Sequence, residues 1–169
     1  MTTKTEQKKV SHGPGFWAFV LLFSLGPVSI FGQGLDPKKF DHILTQDLVF
    51  KPASGYPAGA EMAFVVGTPT EEGPFVVRVR LADGTKFMPH IHQEDRIYTV
   101  ISGVFYIGYG TVFDPSKLKA YGPGSVIVLP HNTPHFHWAM SGEYITQVYA
   151  YGPLKLTYVN SADDPRNEK

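Results

Sequence analysis

Five of the seven histidines in this 169-residue chain fall into two short clusters, and both clusters have the spacing of metal ligands. The first is Pro89-His90-Ile91-His92. The second is His131 followed by Pro134-His135-Phe136-His137. In a β-strand, side chains two residues apart share a face and lie about 7 Å apart along the backbone. Each His-x-His can therefore turn two imidazoles toward one cation. Imidazole nitrogen is a good ligand for zinc, iron, copper, nickel and manganese. One such pair is equally well explained by exposed strand histidines. Two pairs, each beside a proline-bearing turn, favour one shared divalent transition metal (Fe, Mn, Ni, Cu or Zn). His12 lies near the N-terminus. His42 sits in an acidic, helix-like stretch, where a surface role is expected.

The elements that must position these histidines read as short strands. In residues 75–81, Phe75, Val77, Val79 and Leu81 share one face, and Arg78 and Arg80 share the other. That is the two-residue period of a half-buried strand. Asp83-Gly84 turns the chain toward a strand at 87–92. Ser102-Gly103 separates apolar runs at 97–101 and 104–109 and reads as a hairpin turn. Further strands are expected at 47–51, 61–66, 125–129, 134–140, 143–151 and 154–159. Helix signals are confined to 36–43 and 114–119, one or two turns each. Ten closely spaced strands and no long helix predict an all-β barrel or sandwich.

Composition narrows the function further. Fifteen Lys and Arg balance fifteen Asp and Glu, so there is no basic excess to hold nucleic acid. There is no cysteine, which excludes a disulfide scaffold, a zinc finger and thiol catalysis. At 43% hydrophobic residues the chain has ample material for one core. Residues 1–15 are polar and lysine-bearing, residues 16–25 hold Ser24 as their one polar member, and Gly26-Pro27 breaks any helix there. This is the pattern of a secretory signal peptide over 1–32, cut after Gly32 or Gly34. An uncleaved anchor would need about 20 apolar residues, and the window to Leu35 is interrupted by Gly26, Pro27, Gly32, Gln33 and Gly34. The expected organisation is a leader at 1–32, a barrel domain at 33–160 and a polar, loose tail at 161–169. The expected location is periplasmic or secreted, with no membrane attachment after cleavage.

At the histidine clusters the sequence resembles the cupin family, small jelly-roll barrels with two motifs. The first motif is G-x5-H-x-H-x3–4-E-x6-G; Gly84, His90, His92 and Gly103 match it. The second is G-x5-P-x-G-x2-H-x3-N; Gly124, Pro130 and His135 match it. Asn132 stands in place of the middle glycine, a mild change because Asn also tolerates left-handed backbone. Ala139 stands where the final Asn would be. The resemblance covers residues 75–151. It implies a cupin-type double-stranded β-helix, or jelly-roll barrel, with one or two short helices. It also implies one divalent metal on His90, His92 and His135.

The glutamate of the first motif is replaced by Arg96. A guanidinium has no lone pair to give a metal. Three imidazoles then suffice alone, or His137 is the fourth ligand because it shares a face with His135, or Glu94 or Asp95 bends inward. Loss of the metal is a further reading, since an inward Arg beside a cation is unfavourable without a carboxylate between them. An inward Arg96 suits a bound carboxylate, phosphate or enolate. The alternative is an internal ion pair to Glu94, Asp95 or Glu143. Met88, Tyr98 and Val100 share parity with His90, His92 and Arg96, which makes Arg96, Met88 and Tyr98 the candidate substrate-binding residues. Arg96 and Tyr98 are the catalytic candidates, with Tyr106 and Glu143 as further candidates for a general base.

Two functional classes are consistent with these residues. The first is an exported metal-dependent enzyme, dioxygenase-like or isomerase-like, acting on a small organic molecule of anionic type. Three imidazoles leave coordination positions open for substrate and oxygen. The second is a non-catalytic small-ligand or metal-binding or sensor protein. The fold does not separate them. The partner in either class is a small molecule, and a homodimer is a possible assembly.

Overall fold

The computed structural model describes residues 42–167. The expected leader at 1–32 and most of the expected 36–43 helix lie outside these residues. Among them are eleven strands: β1 (Lys51–Pro52), β2 (Ala60–Val66), β3 (Gly73–Leu81), β4 (Lys86–Ile91), β5 (Arg96–Ser102), β6 (Phe105–Tyr109), β7 (Lys119–Tyr121), β8 (Val126–Leu129), β9 (His135–Trp138), β10 (Tyr144–Gly152) and β11 (Thr157–Tyr158). Four short 3-10 turns at Thr45–Asp47, Pro115–Lys117, Ser161–Asp163 and Pro165–Asn167 are the remaining regular elements. The strands form a six-stranded sheet in the order β1-β2-β3-β10-β5-β8 and a five-stranded sheet in the order β11-β4-β9-β6-β7. Every strand pairing is antiparallel. This is the all-β jelly-roll architecture expected from the sequence.

Side-chain alternation explains why the two sheets close on each other. In β3, Phe75, Val77, Val79 and Leu81 are buried, and Arg78 and Arg80 between them are half-buried. In β10, Tyr144, Thr146, Val148 and Ala150 point inward. Phe105 of the five-stranded sheet meets Tyr98 and Tyr144 of the other at ring distances of 5.5 and 5.1 Å. Burying each such side chain is worth roughly 1.5–3 kcal/mol. β9 is covered on both faces: His135 and His137 face the interior, and Phe136 packs on Phe113 at 5.1 Å. Gly108 makes room for that ring, because a Cβ there would lie 2.5 Å from the Phe136 ring.

Four expectations differ from the structure. Ser102-Gly103 is not a hairpin turn: β5 and β6 belong to different sheets, and the chain crosses between them there. Gly103 holds φ +69, and a Cβ on it would meet the Glu143 carbonyl oxygen at 2.2 Å, so the crossing needs a residue without a side chain. The strand expected at 47–51 is a 3-10 turn at Thr45–Asp47 followed by the two-residue β1. At 114–119 the turn is shorter than expected, and β7 follows it, an edge strand of three residues that is too short to show alternation. The tail is not loose through Asn167. Arg166 Nη2 donates to the Leu156 carbonyl at 3.2 Å and pairs with Asp164 at 2.6 Å.

Candidate metal centre

Neighbouring strands β4 and β9 bring the two histidine clusters together. Their register pairs His90 with His135 and Phe87 with His137. The loops that carry the two motifs are also tied directly. Asn132 N–H donates to the His92 carbonyl at 2.7 Å, and Asp95 Oδ1 accepts from His131 N–H at 2.7 Å. Asn132 has φ 56, the one non-glycine residue with positive φ among the described residues. An asparagine therefore serves at the motif's glycine position because that backbone is left-handed. His131 lies on the surface, bonded to Asp95, and is not part of the interior group.

Four imidazoles are buried together: His90, His92, His135 and His137. Burial is the leading cause that lowers the pKa of each. His135 is held down at about 4, and the other three also fall below their ordinary value. They are neutral at pH 7. Backbone carbonyls then fix the tautomers. His90 Nδ1–H donates to the Met88 carbonyl at 2.7 Å, and His135 Nδ1–H donates to the Thr133 carbonyl at 2.8 Å. Each bond leaves the lone pair on Nε2, aimed inward. The Nε2 atoms of His90, His135 and His137 have no hydrogen-bond partner among the described residues. One ring nitrogen from each lies within 4.8 Å of the others. Three buried, unpartnered nitrogens at this spacing fit a divalent ion of the borderline type, and these three residues can hold one.

His92 is placed differently. Its Nδ1–H donates to the Lys155 carbonyl at 2.8 Å, and its Nε2 accepts from Arg96 Nη1 at 2.8 Å. Both nitrogens are engaged within the protein. Arg96, at the start of β5, is 2% exposed and points inward. Nη1 also donates to the Tyr98 hydroxyl at 3.2 Å, and Nε lies 3.3 Å from Glu94 Oε1. Glu94 thus turns inward to Arg96, and its other oxygen accepts from Lys155 N–H at 3.2 Å. Burial works against the Arg96 charge, and Tyr98, Tyr56 and Glu94 outweigh it, so the guanidinium stays protonated.

Arg96, Tyr98, His90 and His137 line one interior void with Phe87 and Tyr144. Its volume is about 10 Å³, about what one water requires. Met88 is not among its lining residues. The register shift between Phe87 and His90 breaks the parity that would have put Met88 there, and Phe87 stacks on His90 at 4.0 Å instead. Met88 is half-buried against the core. A larger groove of about 580 Å³ lies outside, against Val49, Met62, Phe64 and Leu154, and carries no histidine. Tyr56 lines both the groove and the void.

No protein-family model and no curated protein matches the chain. Solved structures do match, and the fold they define is that of the cupins. The polyketide cyclase RemF from Streptomyces resistomycificus is 16% identical, with 75% of this chain and 90% of that one covered at a TM-score of 0.62. A sugar phosphate isomerase of the cupin superfamily from Silicibacter pomeroyi is 17% identical, covering 70% and 81% at 0.55. KdgF from a Halomonas species is 20% identical, covering 68% and 96% at 0.54. The described residues of this chain have the cupin fold, as the two motifs implied.

Proposed function

We propose that the protein is a metal-dependent enzyme that acts on a small anionic organic molecule inside the barrel. One observation carries the reading: His90 and His137, two of the three buried imidazoles whose Nε2 has no partner, line the same void as the buried Arg96 guanidinium. His90, His135 and His137 would hold the ion. A divalent metal there supplies Lewis-acid polarisation of a substrate oxygen. Arg96 would orient the anionic group of the substrate through Nη2, its terminal nitrogen without a partner among the described residues. Burial raises the Tyr98 pKa, so its phenol keeps its proton and is the candidate proton donor. Phe87 and Val79 make part of the wall of that void apolar. The cyclase and the isomerase among the solved neighbours favour isomerase-like over dioxygenase-like chemistry. The void's small volume favours a second reading, a metal or small-ligand binder without turnover. Conversion of a bound acid by the metal-loaded protein separates the two readings.

The ligand set has a direct test in metal titration by calorimetry. His137→Ala should weaken binding more than about 100-fold, because one of three ligands is lost. His92→Gln keeps an acceptor for Arg96 and should leave the affinity within about fivefold of wild type. The reverse order of effects would put His92, not His137, in the coordination shell. Export is part of the proposal and rests on the apolar run at 16–25. Mass spectrometry of the native protein should find a start between Gln33 and Leu35. An intact Met1 in a soluble cytoplasmic fraction would refute export.

A further inference from the structure

Strand parity points to a second binding place, outside the barrel. Phe64 on β2 pairs with Val77 on β3, so both side chains lie on the inward face of the six-stranded sheet. Val77 is fully buried, whereas Phe64 is 56% exposed. The inward face is therefore left open at this end of β2. Phe64 forms part of the wall of the groove of about 580 Å³, together with Val49, Met62, Pro69, Leu154 and Tyr56. Val49 is also open, at 66% exposed. The walls are held in place by hydrogen bonds. Leu154 N–H donates to the Pro69 carbonyl at 2.7 Å, and Tyr56 N–H donates to the Ala53 carbonyl at 3.0 Å. The Tyr158 hydroxyl donates to the Gly55 carbonyl at 2.9 Å and so pins the loop that carries Tyr56 to β11. A pre-formed, mostly apolar concavity of about 300–1,000 Å³ with a few polar groups is the ordinary make-up of a small-molecule site.

We propose that this groove binds a small molecule by an uncharged hydrocarbon body, laid against Met62, Phe64 and Leu154. Lys51 and Asp47 are the charged lining residues, one of each sign, so the groove favours neither anions nor cations. Its recognition is apolar contact, which large exposed apolar side chains gathered in one concavity supply. Tyr56 lines both the groove and the water-sized void, and its ring meets Phe87 edge-on at 5.0 Å. A ligand in the groove thus lies one aromatic ring away from the barrel interior. The site stands without the metal reading, because no histidine lines the groove.

The test uses straight-chain alcohols from n-butanol to n-octanol as probes and NMR of isotope-labelled methionine methyl groups as the readout. Beyond Met1 the chain has Met62, Met88 and Met140. Met62 lines the groove, Met88 packs against the core, and Met140 is exposed elsewhere. The Met62 signal should shift saturably, and those of Met88 and Met140 should stay in place. Each added methylene should lower the Kd about fourfold, the gain from burying one CH₂. Phe64→Ser makes the wall polar at an exposed position and should weaken n-octanol at least about tenfold. Leu154→Asn is the second variant, with a loss in the same direction. Val128→Ser, at a position as exposed as Val49 on the outer face of the same sheet, should change the Kd less than about twofold. Circular dichroism establishes that each variant is folded. No shift at Met62, or equal shifts at Met62 and Met140, would overturn the proposal. So would a Kd that stays constant along the series, or one that both folded groove variants leave unchanged. A dimer in sedimentation that n-octanol dissociates would hand the groove to a second copy of the chain and overturn it as well. Each of these results leaves the metal reading intact, since that reading has its own titration.

Discussion

The double variant His90→Ala/His135→Ala is expected to lose its bound divalent metal entirely, from about one ion per chain to background. The two residues are register partners on β4 and β9, with ring centroids 4.2 Å apart. Each presents an Nε2 whose direction is set by a carbonyl on the opposite ring nitrogen. Without them His137 is the one member left of the three-imidazole group, and a single neutral imidazole does not retain a divalent ion through dialysis. The affinity should fall at least about 1,000-fold, because a metal's binding free energy is shared over its whole ligand set. The fold should survive, since the deleted groups each carry a buried nitrogen without a partner, and their removal also relieves that cost. Elemental analysis after dialysis, alongside circular dichroism, is the measurement. One ion per chain in the folded double variant would exclude the site. Arg96→Glu gives the complementary result: a carboxylate at the position that the cupin motif assigns to glutamate should tighten metal binding.

Much of this centre could be read from residue spacing, and the limits of that reading are physical. Two His-x-His pairs in strand-like segments are enough to put His90 and His135 inside a barrel, because strand parity carries both members of a pair to one face. Gly103 and Asn132 were informative for the same reason: a chain reversal with positive φ selects a small set of residues. Parity fails where the ladder slips. The shift between Phe87 and His90 brings Phe87 against the imidazole and takes Met88 off the void, and no local property of Lys86-Phe87-Met88-Pro89 announces it beyond the proline. Ser102-Gly103 carries a hairpin signature, but sheet membership depends on what β10 and β9 offer as partners far along the chain. The fate of Arg96 was open for a different reason. Glu94, Asp95 and Glu143 were all candidates to meet it, and only the folded geometry selects Glu94 and hands Nη1 to His92. A competition between side chains for one guanidinium is decided by distances of a few tenths of an ångström, which sequence spacing does not encode.

Acid should destabilise the metal-free protein well above the range where carboxylates titrate. An unfolded histidine takes up its proton near pH 6.5, whereas folded His135 resists protonation down to about pH 4. His90, His92 and His137 are shifted in the same direction, with burial as the leading cause. Between these pH values the unfolded chain therefore binds more protons than the folded one, and stability falls as pH falls. The stability attached to these groups is fully present above about pH 6.5 and is lost as pH drops toward their folded values. His135 alone accounts for about 3 kcal/mol over that window, at about 1.4 kcal/mol per pH unit. With four buried imidazoles contributing, the slope exceeds that of one group, and a domain of ordinary stability, about 5–15 kcal/mol, should unfold before pH 4 is reached. Urea denaturation in the presence of a chelator at pH 7.5, 6.5, 5.5 and 5.0 gives the measurement. The midpoint should hold nearly constant between the first two values and drop steeply over the last two. His90→Gln/His137→Gln, which removes two of the four titrating groups, should flatten the drop by roughly half. A midpoint unchanged from pH 7.5 to 5.0 in the metal-free wild type would mean that the imidazoles protonate in the folded state as they do in the unfolded one, and that the interior around His90, His135 and His137 is open to water.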